Sequence, residues 1–154
     1  VDDFATAAAS LAGLDALDVE ALKLMYRVET AGEEFYERLA AGIDNAEVAE
    51  LFRRNGKEEK GHARRIGRML ELKLGQPYAP TGHDAEPMAV AVPDPLPLEM
   101  LPYIVQGEIA GDAGYQRWAD NEPDPEVAKL LRLNGREETI HSKRVEQALA
   151  LLHA

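Results

Sequence analysis

The chain is written twice. Displacing it by 79 residues lays 29–65 on 108–144 without a gap, and 17 of the 37 paired positions are identical. Chance would give about two or three matches, so duplication is the better explanation. The clearest stretch sets "EVAELFRRNGKEEKGH" against "EVAKLLRLNGREETIH". Two copies are too few for a solenoid, so the sequence predicts two like halves that bury their apolar faces against each other.

Each half reads as a pair of helices. The 3.6-residue periodicity predicts helices over 18–41, 46–74, 97–121 and from 125 nearly to the C-terminus. Asp18 stands ready as an N-cap, Gly75 and Pro77 end the second helix, and Pro125 suits the first turn of the fourth. The turns at 42–45 and 122–124 are short, which makes each pair an antiparallel hairpin. Between the pairs, 76–96 carries Pro77, Pro80, Pro87, Pro93 and Pro95 and reads as an extended crossover. It is long enough to run the length of a bundle, roughly 40 Å at 1.5 Å per helical residue. The fold expected is therefore all-α: a four-helix bundle over 18–154, made of two antiparallel hairpins joined by one long crossover. Residues 1–17 form an N-terminal segment with room for a short helix.

Composition narrows the chemistry. The 154 residues contain no cysteine, so disulfides, thiolate metal sites and thiol nucleophiles are excluded within this chain. The net charge of −11, from 28 acidic and 17 basic residues, argues against nucleic acid. No apolar run approaches the ~20 residues that span a bilayer, which argues against a membrane protein. Val1-Asp2-Asp3-Phe4 places acid where a secretory signal needs a basic stretch, and a cytoplasmic location is expected.

Acid also falls where the core should be. On the inward stripe the second helix reads Val48, Phe52, Asn55, Glu59, His62, Ile66, and the fourth reads Val127, Leu131, Asn134, Glu138, His141, Val145. The first and third helices add Glu29 and Glu108. No lysine or arginine shares these positions. One buried, unpaired carboxylate costs on the order of several kcal/mol, so four facing one another need positive charge. Two divalent cations would cancel them, and His62 and His141, one turn beyond Glu59 and Glu138, would complete the shell. One Glu from each of two helices with Glu-x-x-His from each of the others is the known ligand pattern of di-iron and di-manganese bundles. The metal ligands expected are Glu29, Glu59, His62, Glu108, Glu138 and His141, holding two divalent ions; the mixed carboxylate and imidazole set suits iron or manganese, with zinc possible by affinity alone.

The neighbours of these six divide into helpers and bystanders. Tyr36 and Tyr115 lie two turns beyond Glu29 and Glu108 on the same face. Each is read either as a core residue or as a catalytic phenol that bonds a ligand carboxylate across the bundle. Asn55 and Asn134, each followed by glycine, either hold ligand carboxylates or mark bulges. Gly32 and Gly111 open space beside the metals. Glu58 and Glu137 fall one position off the stripe and read as a solvated flank, while Glu33 and Asp112, four residues after the single glutamates, read either as exposed helix charges or as acids that support the site or line its entry. His83 and His153 read as surface residues.

"VETAGEEFYERLA" followed by "EVAELFRRNGKEEKGHARRI", with the doubled Glu-x30-Glu-x-x-His spacing, resembles the rubrerythrin family of the ferritin-like superfamily over about 22–152. The resemblance implies a ferritin-like bundle with a di-iron site that reduces hydrogen peroxide or oxygen. It also implies a homodimer, in which the long crossover would allow exchanged helices. Peroxidase-type members carry a further glutamate three residues after the third-helix ligand; Gly111 stands there, so the six ligands are similar to those of bacterioferritin. Lys60, however, occupies the place of bacterioferritin's haem-binding methionine. With no cysteine for a rubredoxin-type iron, electrons are expected from an external donor. The competing expectation is a ferroxidase that stores or passes on iron.

Overall fold

The computed structural model describes residues 2–154, and five α-helices dominate it: α1 (Phe4–Ala12), α2 (Val19–Ala41), α3 (Ala46–Leu74), α4 (Leu101–Asp120) and α5 (Pro125–Leu152). Local chemistry sets their ends. The Asp18 carboxylate accepts the Ala21 amide at 2.8 Å, and Asn45 accepts that of Val48 at 3.0 Å. Asp124 caps α5 through the Glu126 amide at 2.9 Å, just ahead of Pro125. Gly75, at φ 73°, closes α3 in the left-handed conformation that glycine adopts freely.

One boundary differs from the periodicity. The third bundle helix was expected from Pro97, but residues Leu98–Met100 form a 3₁₀ turn and α4 begins only at Leu101. Pro102 is the reason: it has no amide hydrogen and fits only in a helix's first turn, so an α-helix starting four residues earlier would be broken by it.

The four long helices form a bundle, with α2 packed on α3, α4 on α5, and α3 on α5. By contrast, α2 and α4 scarcely approach each other. The crossover is tied down at its middle. Ala89 exchanges backbone hydrogen bonds with the N-terminal segment, donating to Asp2 O at 2.7 Å and accepting from Phe4 N at 3.0 Å. Buried Arg27 of α2 reaches both segments, donating to Glu86 O at 3.0 Å and to Asp2 at 2.6 Å. Among the described residues no helix is long and apolar enough to cross a membrane.

Two apolar clusters fill the interior. One gathers Leu22, Met25, Ile66, Met69, Trp118 and Leu131. The other gathers Leu39, Val48, Phe52, Leu101, Val105 and Val145. Between them, at mid-height, lies a layer of buried glutamate, histidine and asparagine. The apolar layers on either side fix the distance between the helices that carry it.

Candidate metal centre

Each bundle helix delivers one glutamate to the polar layer, and α3 and α5 each add a histidine one turn on. His62 and His141 are fully buried, and their rings stack at 5.2 Å. Glu29, Glu59 and Glu138 are buried beside them. The Nδ1 of His62 lies 3.0 Å from Glu138 Oε1 and 3.3 Å from Glu29 Oε2. The Nδ1 of His141 lies 2.7 Å from Glu59 Oε1 and 3.5 Å from Glu108 Oε2.

These atoms form three overlapping groups able to hold metal: a triad of His62, Glu138 and His141, and two groups of four residues. One group of four comprises Glu29, Glu59, His62 and Glu138; the other comprises Glu59, Glu108, Glu138 and His141. Glu59 and Glu138 belong to both groups of four. All six residues singled out by the sequence are therefore brought together, in an order that follows the duplication. Each hairpin supplies one glutamate and one histidine of its own, and the two shared carboxylates lie between.

The donor set fits divalent cations. Glu29 Oε2, Glu59 Oε1, Glu108 Oε2, Glu138 Oε1 and the Nδ1 atoms of His62 and His141 are buried and make no hydrogen bond. An orphaned buried polar atom is costly and rare, and here each of the six residues presents one toward a common centre. Oxygen donors with two imidazoles suit iron, manganese or zinc.

Surrounding groups decide which atoms remain free. His62 Nε2–H donates to Glu137 at 2.9 Å, and His141 Nε2–H donates to Glu58 at 3.1 Å. That leaves Nδ1 of each ring as the donor toward the centre. Glu137 is gripped by Arg65 at 2.7 Å and Glu58 by Arg144 at 2.8 Å, so each outer acid is already neutralised. Glu58 and Glu137, expected as a solvated flank, instead orient the histidines of the opposite helix. Asn55 and Asn134 do neither of the things expected of them. Their amides donate to the backbone oxygens of His141 and His62, and both helices run unbroken through the Asn-Gly pairs. Losing either outer carboxylate frees a ring to turn. We expect Glu58→Gln and Glu137→Gln each to weaken metal affinity by about 10- to 100-fold, read by competition with a chelator.

The phenols reach across the bundle. Tyr36 of α2 donates to Glu108 of α4 at 2.8 Å, and Tyr115 of α4 donates to Glu29 of α2 at 2.7 Å. Each fixes the outer oxygen of a glutamate whose other oxygen faces the centre. Burial, followed by the nearby Glu108 and Glu29, pushes both phenols well above their usual range, so they keep their protons. Glu33 is half-buried; Asp112 accepts hydrogen bonds from Thr139 and Gln116. His83 is exposed but pairs with Asp2 at 2.9 Å, and His153 is exposed.

Without metal the centre must hold protons instead. Burial, then repulsion from Glu138, pushes the Glu108 carboxyl up to about 8. Glu59 is raised as well, by burial and by Glu138 and Glu29. Burial disfavours charge on His62, but the carboxylates of Glu138 and Glu29 beside its Nδ1 outweigh it and raise the ring to about 10. Cations must displace these protons. We therefore expect metal loading at pH 7 to release protons and to weaken as pH falls, measurable by titration calorimetry in buffers of different ionisation enthalpy.

A bundle of two hairpins and one crossover, with a carboxylate and imidazole cluster at its waist, defines a ferritin-like helical protein able to hold metal. The family profile described as Rubrerythrin matches residues 20–149, and the chain belongs to that family. No curated protein and no solved structure matches it.

Proposed function

We propose that the cluster holds two iron ions and that the protein is an oxidoreductase of the rubrerythrin type, reducing hydrogen peroxide or oxygen with electrons from an external donor. The observation that carries this reading is the set of six unpartnered buried atoms, one from each ligand, divided into two groups of four that share Glu59 and Glu138. Manganese meets the same donor requirements, and zinc would bind by affinity alone. When bound, iron supplies the electron transfer that breaks an oxygen–oxygen bond; the protein supplies position, charge and protons.

Glu29, Glu59, Glu108 and Glu138 would cancel the charge of two divalent ions and keep the site neutral. The apolar layers above and below hold the helices, and so the donor atoms, at fixed spacing. Tyr36 and Tyr115 restrain Glu108 and Glu29 while retaining protons next to the reacting position. They are the groups we assign to proton delivery, the part expected of them as catalytic residues. Tyr36→Phe and Tyr115→Phe should leave metal stoichiometry intact and slow peroxide reduction by about 10²-fold, with the rate losing its solvent isotope effect.

Turnover tests the reading against iron handling. Ferrous-loaded protein should reduce many equivalents of peroxide when a reductant is supplied. Consumption of iron in fixed proportion to oxidant, with no recycling, would make it a ferroxidase. Reaction no faster than free iron would end both readings.

A further inference from the structure

The duplication relates α2 to α4 and α3 to α5, so each of the two open faces of the bundle is its own counterpart and the two are free to differ, as they do. On one face α3 and α5 pack directly together. On the other, α2 and α4 stand apart around a cavity of about 580 Å³. A water takes about 30 Å³ of liquid volume, so peroxide or dioxygen would fill roughly a tenth of it. The size instead falls among sites for small organic ligands, which run about 300–1,000 Å³.

The walls say what kind of ligand. Phe4 and Leu11 of α1, Met25 and Phe35 of α2, and Ile104 and Trp118 of α4 line the cavity. Its polar end is the metal cluster: Glu29, Glu59, Glu108 and Glu138 all border it. The cavity meets the two shared carboxylates across Gly32 and Gly111. A Cβ at Gly32 would lie 2.8 Å from Glu59 Oε2, and one at Gly111 would lie 3.1 Å from Glu138 Oε2. Side chains there would close the passage. One cation, Arg117, reaches the cavity, nine residues along α4 from Glu108 and so about 13 Å away at 1.5 Å per residue. It is engaged by the carbonyls of Ala12 and Leu14. Among the described residues no side chain offers a free positive charge to an anionic ligand at the polar end, and the charge of two divalent ions there would already be cancelled by the four carboxylates.

Part of this enclosure lies outside the family match. Phe4, Ala8, Leu11 and Ala12 come from α1, before the matched residues 20–149. They are fastened over the gap by Arg117 and by Trp118, whose indole donates to Leu14 O at 2.8 Å. We infer that this cavity binds a neutral amphipathic organic molecule, an alcohol or phenol, with its apolar body among the α1, α2 and α4 side chains and its hydroxyl toward Glu59 and Glu138. The inference rests on the dinuclear reading for the polar end only; the apolar body needs no metal.

Trp118 is the only tryptophan in the chain and lines the cavity, so it reports occupancy directly. Zinc-loaded protein, with its metal content measured in parallel, would be titrated with 1-octanol and with octanoate, reading tryptophan emission and heat. We expect saturable binding of octanol and at least tenfold weaker binding of octanoate. Gly107→Phe should cut octanol affinity at least tenfold, since a Cβ at Gly107 meets nothing within 4 Å and the ring has room to enter. Ala113→Phe, also on the lining, should do the same if the first variant folds poorly. Metal content of both should match the parent. The inference is overturned by octanol that does not saturate, by octanoate that binds as well, or by a folded variant of either kind that keeps full affinity. It is equally overturned if the parent ignores octanol while the Phe variants change its oligomeric state, for then a second copy covers the cavity. A protein that binds octanol but holds no metal would sink the dinuclear reading alone.

Discussion

Replacing Glu59 and Glu138 together by Ala should lower bound metal below roughly one ion per chain, where two are expected of the parent. Both carboxylates belong to both four-residue donor groups, so their loss strips each position of two of its four protein ligands. Losing Glu29 or Glu108 removes one ligand from one group. Such a variant should keep about one ion, and that difference distinguishes a shared pair from four equivalent acids. Metal analysis reads the effect. A double variant that retains its metal would contradict the arrangement.

Metal should also decide how the protein responds to pH. A ligand present at about a thousand times its dissociation constant stabilises the folded state by about 4 kcal/mol. For a chain of this size that corresponds to a rise in Tm of roughly 8–16 °C. The metal-free protein has a further weakness, whose sign follows from the protons it holds. His62, ordinarily near 6.5, is raised to about 10 in the folded state. Its contribution is fully present below pH 6.5 and is lost as pH rises through 10. Glu108, raised from 4.5 to about 8, also favours the fold only while protonated, so its share fades as pH climbs from 4.5 through 8. Both trends run the same way. Glu58, held down to about 2 by its hydrogen bond to His141 and by Arg144, sheds its contribution only on the acid side of 4.5. Chelated protein should therefore lose Tm steadily between pH 6.5 and 10. Metal-loaded protein, its protons displaced by cations, should stay nearly level over that range. Melting curves across this range check it, and a chelated protein that gains stability with rising pH would contradict it.

Much of the centre could be read from the sequence because its spacing is local. Glu59 and His62 share a helix face whatever the rest of the chain does, and the second copy at Glu138 and His141 removes coincidence. Asp18, Asn45 and Asp124 act through amides two or three residues away, so the starts of α2, α3 and α5 were equally visible. What stayed hidden depends on contacts between helices. Glu58 and Glu137 sit one step off the inward stripe, where periodicity alone assigns them to solvent. Their partners are His141 and His62 on the facing helix, 83 and 75 residues distant. One signal was available: Arg65 and Arg144 repeat along with them, at a spacing of seven residues from each acid. Repeated opposite charges beside a repeated histidine are the mark of a second layer around a site.

Asn55 and Asn134 were misread for a related reason. Their position one turn before a ligand suggested contact with its carboxylate, but in a helix the side chain leans toward the N-terminus, away from Glu59 and Glu138. Each meets the backbone of the opposite helix instead. The cavity was foreshadowed only by Gly32 and Gly111. The roof over it, α1, carries no periodic link to the site, and nothing in residues 4–12 alone indicates what they cover.

Anomalous scattering from crystals of iron-loaded protein, recorded on both sides of the iron edge, tests the dinuclear centre most directly. Two iron peaks about 3.5–4 Å apart should lie among Glu29, Glu59, His62, Glu108, Glu138 and His141, with Glu59 and Glu138 touching both. A well-ordered crystal with no peak between those residues, or with iron bound only at the surface, would contradict it.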